Sequence, residues 1–497
     1  MLTTWIRRLY PSQHRGRVVG LTLSVLLILV LVGGLSRTFL FGRSSLSPNL
    51  GKSVLLLSNP TENRFALVTL LTMIRLSDGK VLWQYHLQGA LANGYSYTDT
   101  IEEQLKAGTA VRIVGGIVYF AQVFDARPDR PAMSTYSLTA LRADTGALLW
   151  QHQMQATALE VVGISNGVLV AQVAVGSNST VDVLTASGYR ADTGSLVWER
   201  RMAEHISYGE RTAQVIDGIL YIGKGNPWTI SALEVRTGKP LWHYSTQAAM
   251  VPSGPLIAAN GVVVLQGASG ESISHPTFNL SGLRESDGTL LWSHEISKQG
   301  GFPGDLSSPF QESGGLLYFA TNVAEQNDLE LDALQITRGT LIWHRQVTDQ
   351  QSISGRELAL GDGTLYLPYT VLAQGTAGLF IQAIQASDGV LRWKKHPGQA
   401  GAPGLVIVDG TTASTVFAES SDSQHSPLIG LNAGNGATLW QNQQWVVYRE
   451  IIADGKLIVF SRLNDLNQQL CALQPATSAV LWCHNVDKYQ GWAIAGP

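Results

Sequence analysis

Residues 140–150 read Ala-Leu-Arg-Ala-Asp-Thr-Gly-Ala-Leu-Leu-Trp, and this stretch decides the fold because it recurs along the chain. In each copy a Trp stands ten positions after a small residue, with a turn between them that usually centres on Gly. The nine copies run Met73–Trp83, Ala140–Trp150, Gly188–Trp198, Ala232–Trp242, Gly282–Trp292, Ala333–Trp343, Ala383–Trp393, Gly430–Trp440 and Ala472–Trp482. From Trp150 onward, successive Trp residues are 42 to 51 positions apart. This period is typical of a β-propeller with one four-stranded blade per repeat.

Within one repeat the residue pattern predicts strands rather than helices. In the third repeat, apolar and polar residues alternate over residues 157–162, 168–173, 181–190 and 195–199, and Gly-bearing turns separate these segments. Such turns supply the positive φ that a tight hairpin needs. The sequence therefore predicts an all-β fold, a single closed propeller.

The number of blades is less sharply defined than the fold. Eight complete four-strand units fit between Thr109 and His484, and eight is the count we favour. The first copy lacks an obvious leading strand, and residues 490–495 at the C terminus look like one. Closure of the ring by a strand from the far terminus would give nine blades, which remains an alternative.

The repeat Trp residues are expected to pack between blades rather than to bind a ligand. A buried indole needs a flat, vacant surface, and the backbone of a small residue provides one. Ala or Gly occupies the position ten before the Trp in eight of the nine copies. The predicted docking residues are Trp83, Trp150, Trp198, Trp242, Trp292, Trp343, Trp393, Trp440 and Trp482.

This pattern resembles the tryptophan-docking repeat of the quinoprotein-like propellers, whose repeats are similar to those that bind pyrroloquinoline quinone (PQQ). The motif of that family reads small-x-Asp-x-x-Thr-Gly-Lys-x-x-Trp, and the resemblance extends from about Gly51 to the C terminus. The chain departs from the motif at its Asp. That position holds Arg75, Arg142, Arg190, Glu234, Arg284, Gln335, Gln385, Asn432 and Gln474.

The resemblance implies two functions of different classes. Its non-enzymatic branch, which includes the propeller lipoprotein of bacterial outer-membrane protein assembly, implies a scaffolding module that binds a protein or peptide and needs no cofactor. Its catalytic members hold PQQ and calcium on the ring axis, often beside a disulfide between adjacent cysteines. This chain has no adjacent cysteine pair, so we expect the scaffold, with its contact surface on the long loops at 95–106, 124–134, 268–275 and 419–427. The alternative is a PQQ-dependent dehydrogenase of alcohols or sugars.

A different segment precedes the repeats. Residues 18–35 are apolar and uncharged, long enough to cross a bilayer core with some adjustment. Arg7, Arg8, Arg15 and Arg17 lie before this segment, whereas Arg37 and Arg43 follow it. This bias predicts a cytoplasmic N terminus at 1–17, a single-pass anchor at 18–35, a linker at 36–50 and an extracytoplasmic propeller at 51–497. A cleaved signal peptide is the alternative.

The two cysteines fit an exported domain. Cys471 and Cys483 flank the last hairpin, each six residues from Thr477, so they should lie opposite one another on antiparallel strands. Opposed positions have nearly the Cβ separation that a disulfide requires, and oxidising compartments preserve such a bond.

Charge and motifs exclude several other functions. Residues 1–43 carry six of the 34 Lys and Arg and no acid, so the remaining 28 basic groups face 37 acidic ones, for a net charge of −9. Nucleic acid is an unfavourable ligand for such a domain. Seven His residues follow the repeat Trp by one to three positions and are spread round the ring, so no metal site is expected from them. No catalytic residues are predicted. Under the dehydrogenase alternative, Asp125, Glu271, Asp305 and Glu325 lie in loops that could face the axis.

Overall fold

The computed structural model describes the chain over a set of segments that excludes the N terminus. These are residues 53–58, 70–92, 111–124, 133–176, 180–207, 211–224, 229–245, 251–252, 256–269, 277–297, 310–323, 328–347, 353–355, 358–373, 376–399, 402–408, 415–421, 428–442, 446–464, 467–486 and 492–496. Two compact units are distinguished, Met1–Gly42 and Arg43–Pro497, and every described residue belongs to the second. The predicted anchor at 18–35 therefore lies outside the described residues. Within them, no helix is long and apolar enough to span a membrane.

The described residues form antiparallel β-strands joined by turns, with no helix among them. The first five sheets contain β1 (Ser53–Ser58), β2 (Leu70–Arg75) and β3 (Val81–His86); β4 (Ala90–Leu91), β5 (Val111–Val114), β6 (Ile117–Val123), β7 (Ser134–Arg142) and β8 (Leu148–Ala156); β9 (Ala158–Ser165), β10 (Val168–Gly176), β11 (Thr180–Arg190) and β12 (Leu196–Ser207); β13 (Arg211–Ile216), β14 (Ile219–Lys224), β15 (Thr229–Glu234) and β16 (Pro240–Ser245); and β17 (Val251–Pro252), β18 (Ile257–Ala259), β19 (Val262–Ser269), β20 (Thr277–Arg284) and β21 (Leu290–Ser297).

The remaining strands continue the pattern to the C terminus. They are β22 (Gln311–Ser313), β23 (Leu316–Val323), β24 (Asp328–Gln335) and β25 (Thr340–Val347); β26 (Ile353–Gly355), β27 (Ala359–Gly361), β28 (Thr364–Ala373), β29 (Thr376–Gln385) and β30 (Leu391–Gln399); β31 (Ala402–Val408), β32 (Thr415–Ser421), β33 (Leu428–Asn432) and β34 (Thr438–Asn442); β35 (Val446–Ala453), β36 (Lys456–Asn464), β37 (Asn467–Leu473) and β38 (Val480–Val486); and β39 (Trp492–Gly496).

Each sheet is one propeller blade, and the alternation in the sequence explains its strands. The third blade has the four strands β9 to β12 that the sequence predicts, although β12 extends further, to Ser207. In three blades two short strands share the place of the leading strand; β4 and β5, for example, both pair with β6. The all-β propeller with four-strand blades is confirmed.

The described strands form nine sheets, so the favoured count of eight is corrected to the alternative of nine. The additional blade arises from the way in which the ring closes. β39, from the C terminus, pairs antiparallel with β1, with Leu56 opposite Ala493, and supplies the leading strand that the first repeat lacks. The first repeat is therefore a complete blade.

The repeat Trp lies on the last strand of its blade and packs against the next blade. Eight of the nine indoles are 8–9% exposed, whereas Trp440 is half-buried. Each indole Nε1 donates a hydrogen bond of 2.6–2.9 Å to a backbone carbonyl of the following blade. The series closes on itself, because Trp482 of the ninth blade donates to Leu76 of the first.

Seven of the nine docked indoles lie between two small groups. One is the small residue predicted from the repeat, which is its cross-strand partner, as Gly282 is for Trp292. The other is a turn Gly of the next blade: a Cβ on Gly339, whose φ is +64°, would lie 2.5 Å from the Trp292 ring. At about 25 cal/mol per Å², burying one indole contributes roughly 4 to 6 kcal/mol as an upper estimate.

Two copies depart from this arrangement. Met73 replaces the small residue opposite Trp83 and is completely buried. Ser478 replaces the turn Gly in the ninth blade, with a φ of 56°, and Trp440, which donates to Pro475 in that turn, is the indole that is only half-buried.

The position at which the family motif has Asp lies in the exposed hairpin turn. Its backbone closes the turn: Arg142 donates to Ala147 O and accepts from Gly146 N, both at 2.8 Å. Its side chain points to solvent and pairs within the turn, as Arg142 does with Asp144 at 2.8 Å. The hydrogen bond from Arg142 lowers the pKa of Asp144 to about 2. Because only the backbone is needed there, several side chains are accommodated.

Two glycines allow the cost of crowding the indole to be measured separately from the cost of a left-handed backbone conformation. Gly363 has a φ of +67°, close to that of Gly339, but a Cβ there would meet no atom within 4 Å. We expect Gly363→Ala to cost about 1 to 2 kcal/mol through the left-handed backbone alone. Gly339→Ala should cost about 1 to 3 kcal/mol more, because Trp292 must shift. Chemical denaturation of both variants measures the difference, and equal losses would refute the docking contact.

Candidate functional site

The last strand of each blade, which carries the repeat Trp, presents three kinds of side chain. These outer strands are β3, β8, β12, β16, β21, β25, β30, β34 and β38. The Trp faces the next blade, the residue after it points to the opposite side of the sheet because strand side chains alternate, and the residues before it face solvent. The first kind stabilises the ring, so the other two are the candidates for binding.

Aliphatic residues just before the Trp are exposed on every blade. We call them the outer rim: Val81, Leu148, Leu149, Leu196, Val197, Leu241, Leu290, Leu291, Leu341, Ile342, Val390, Leu391, Leu439, Val480 and Leu481. Their exposures run from 37% to 56%. Among the described residues only Val114 and Met133 are other large apolar side chains of this exposure. Contiguous exposed apolar surface marks interaction sites, whereas single exposed side chains are ordinary, so the rim is a candidate where two of its residues adjoin, as Leu196 and Val197 do.

A β-bulge accompanies the rim in each blade. In the third blade the register shifts between Gly188, opposite Trp198, and Tyr189, opposite Leu196, so Val197 is the extra residue. The same shift recurs beside the Trp of all nine blades. Bulges re-aim side chains and increase local twist. They thereby turn rim residues outward.

The residue after the Trp faces a cross-strand partner twelve positions earlier, next to the small residue. These outer pairs are Thr72–Gln84, Thr139–Gln151, Ser187–Glu199, Ser231–His243, Ser281–Ser293, Asp332–His344, Gln382–Lys394, Ile429–Gln441 and Cys471–Cys483. Several are hydrogen-bonded, such as Gln151 to Thr139 at 3.1 Å. The sheet register therefore creates one equivalent pair per blade.

In the ninth blade the outer pair is the disulfide. Cys471 and Cys483 are register partners with Cα atoms 4.1 Å apart, and their sulfurs are bonded at 2.03 Å. Cys471 is completely buried and Cys483 is exposed. The bond joins the last two strands beside the docked Trp482.

In the sixth blade the outer pair joins a carboxylate to an imidazole. His344 Nδ1 and Asp332 Oδ1 are 2.8 Å apart, with side chains 43% and 15% exposed. Glu330, two residues before Asp332 and on the same face, brings a carboxylate oxygen so that one ligand atom from each of the three lies within 4.8 Å of the others. Burial raises the pKa of Asp332, and the hydrogen bond from His344 and the charge of His294 offset this only in part.

The positions of the histidines alone do not reveal this cluster, because most of the other repeat histidines lie near different partners. His152 Nε2 donates a hydrogen bond to the carbonyl of Gly194, 2.6 Å away, and His396 Nδ1 donates one to the carbonyl of Leu379, 2.7 Å away. His344 instead meets acids across the strand. The sequence does contain the information. Asp332 precedes the small residue Ala333 and His344 follows Trp343, so the repeat predicts that the two are register partners.

Other predicted positions lie outside the described residues. They include the carboxylates Asp125, Glu271, Asp305 and Glu325 and most of the loops at 95–106, 124–134, 268–275 and 419–427 that the sequence favours as contact surfaces. The described candidates are therefore the outer rim and the outer pairs.

For the disulfide, we expect non-reducing peptide mapping of the full chain from membranes to recover Cys471 joined to Cys483. Because the bond closes a loop with a sequence separation of 12, the Cys471→Ser/Cys483→Ser variant should lose about 3 kcal/mol of unfolding free energy. Two alkylatable thiols in the native protein would contradict the pairing.

Comparisons with known proteins agree with the fold. A family model described as outer membrane protein assembly factor BamB matches residues 41–205, 185–365 and 355–492. No curated protein sequence matches the chain. Similar solved structures include BamB from Moraxella catarrhalis, at 14% identity over 71% of this chain and 92% of that one, with a TM-score of 0.43.

Two further structures are similar at the same level. Quinohemoprotein alcohol dehydrogenase ADHIIG from Pseudomonas putida HK5 is 12% identical over 71% of this chain and 69% of that one, with a TM-score of 0.40. Apo AztD from Citrobacter koseri is 10% identical over 90% of this chain and 98% of that one, with a TM-score of 0.42. Likeness at this level carries no information about activity.

Proposed function

Because the chain belongs to the propeller family described as outer membrane protein assembly factor BamB, we propose that it is a non-catalytic module that binds a protein partner. We further propose that it works on the extracytoplasmic side of a membrane, held there by residues 18–35. The observation that carries the binding role is the outer rim of exposed aliphatic residues.

The outer strands offer a partner both backbone and side-chain contacts. Each outer strand forms the edge of its sheet, and an edge strand can pair with an extended segment of another protein. β12 is the longest strand among those described, at twelve residues. Leu196 and Val197 at its start are 56% and 44% exposed. A segment added along β12 would cover these side chains while hydrogen-bonding the strand.

The arrangement of the cysteines supports a non-catalytic role. A quinoprotein dehydrogenase of the resembled type often has a disulfide between adjacent cysteines next to PQQ. Here the bonded cysteines are twelve residues apart and join β37 to β38 at the edge of a blade. We therefore assign them to the stability of the last blade, and the proposed function includes no cofactor.

The proposed location rests on the sequence of the N terminus. The uncharged segment 18–35 is preceded by four Arg residues and followed by two in the linker region. Basic residues stay preferentially on the cytoplasmic side of a membrane segment, which leaves the propeller outside.

The location can be tested with a topology reporter. Alkaline phosphatase fused after Pro497 is active only where disulfides form, and we expect activity from this fusion in intact cells. Green fluorescent protein fused at the same point should be dark, because it folds poorly after export through the general secretory route. The reverse result would place the propeller in the cytoplasm and refute this part of the proposal.

The binding surface can be tested by site-specific photocrosslinking in cells. We expect a photoreactive residue at Leu196 to yield a crosslinked protein of defined mass. One at Val114, which is 46% exposed but lies on β5 away from the rim, should yield none. The double variant Leu196→Thr/Val197→Thr should abolish the crosslink formed from a photoreactive residue elsewhere on β12. Its melting temperature should not change, because Thr preserves strand propensity. Identical products from positions 196 and 114 would contradict a specific rim contact.

A further inference from the structure

The cluster in the sixth blade has the composition of a metal site. Glu330 and Asp332 are two apart on β24, so their side chains share one face, and His344 on β25 is the register partner of Asp332. Two carboxylates and one imidazole thus converge, each offering a ligand atom within 4.8 Å of the others. Asp332 is mostly buried, while His344 remains partly open to solvent.

A fourth candidate ligand comes from the fifth blade. His294 on β21 lies two residues after Trp292, on the face that packs against the sixth blade. His294 is not one of the three residues whose ligand atoms lie within 4.8 Å of one another, so its side chain would have to move closer to share an ion with them. Leu280, the register partner of His294, packs in one apolar cluster with Phe319, the register partner of Asp332. The cross-strand pair His294–Leu280 of the fifth blade therefore faces the pair Asp332–Phe319 of the sixth blade across the interface between the two blades.

The same interface holds buried polar atoms with no hydrogen-bond partner among the described residues. Thr321 is 4% exposed, its Oγ1 is unpartnered, and it is the register partner of Glu330. On the fifth blade, Gln266 is 2% exposed with both side-chain polar atoms unpartnered, and it is the register partner of Leu280. Unsatisfied buried groups are costly. Because such atoms also occur in other blades, at Gln122, Thr370 and Ser461, the case for a metal site rests on the convergence of Glu330, Asp332 and His344.

We propose that Glu330, Asp332 and His344 bind a zinc ion at the edge of the sixth blade, with His294 of the fifth blade as the fourth ligand. Imidazole nitrogen and carboxylate oxygen are both ligands of zinc, whereas calcium and magnesium take oxygen. When zinc replaces the proton between His344 Nδ1 and Asp332 Oδ1, these atoms need to separate only from 2.8 Å to the roughly 3.3 Å expected between neighbouring ligands in a tetrahedral site.

The equivalent positions in the other blades show that this composition is particular to the sixth. The outer pair of the fourth blade, Ser231–His243, has the imidazole but a hydroxyl in place of the carboxylate, at 3.3 Å. In the ninth blade the same position is the disulfide. The zinc would join two strands there as the disulfide does in the ninth blade, and through His294 it would also join two blades.

Zinc binding to the full chain, purified in detergent and stripped with a chelator, tests the proposal. We expect calorimetry to show one zinc ion per chain and zinc to raise the melting temperature, because a ligand bound only to the folded state stabilises it. Calcium should do neither. Cobalt(II) bound at the site should give the visible absorption of a tetrahedral centre.

Single substitutions identify the ligands. Asp332→Asn and His344→Gln should each lower zinc affinity at least roughly tenfold, and His294→Gln should lower it too. His243→Gln, which changes the histidine at the matching position of the fourth blade, should leave it unchanged. Circular dichroism of each variant verifies folding.

Three results would overturn the proposal. The first is that the wild-type chain binds no zinc. The second is that zinc binding survives in folded Asp332→Asn and in folded His344→Gln, and the third is that it is lost in His243→Gln. Unchanged affinity in His294→Gln would overturn the assignment of the fourth ligand. None of these results depends on the protein partner, so the proposed scaffold function stands or falls separately.

Discussion

The docking of an indole onto the hairpin turn of the next blade is the interaction on which the structure depends. It fixes the outer strand from both sides, because in most blades the Trp lies between a small residue opposite it in its own sheet and a turn Gly of the following one. It also fixes the distance between blades through a hydrogen bond whose donor and acceptor lie on different sheets. Repeated from Trp83 to Trp482, the contact closes the ring without any other long-range element except β39.

This constraint explains which parts of the molecule were predictable from the sequence. The Trp and its small partner lie within one hairpin, so their spacing in the chain reports their contact, and the fold followed from it. The same local geometry made Cys471 and Cys483 recognisable as register partners. The blade count was harder, because it depends on the pairing of Leu56 with Ala493, residues from opposite ends of the chain. No local pattern records that pairing.

The candidate site was predicted less well for a related reason. Asp332 and His344 are as far apart in sequence as the two cysteines, but a search for recurring histidines ignores the residue across the strand. His294 is further removed, since its approach to Asp332 depends on how two blades pack and not on either hairpin. The rim residues could be identified in the sequence as one or two aliphatic residues shortly before each Trp. Only the structure shows that the bulge beside the Trp leaves them exposed instead of buried.

The two faces of an outer strand are under different demands, and this difference explains where binding residues accumulate. On the face toward the next blade, every copy must accommodate an indole, so the side chains there vary little. On the opposite face the outer pair does not have to accommodate the indole of its own strand, and it is a hydroxyl with an amide in one blade, a disulfide in another and an acid with an imidazole in a third. Chemistry can be changed at that face without loosening the ring. The outer pairs and the rim are therefore the places in this propeller where a repeat can acquire a role of its own while its Trp continues to serve the fold.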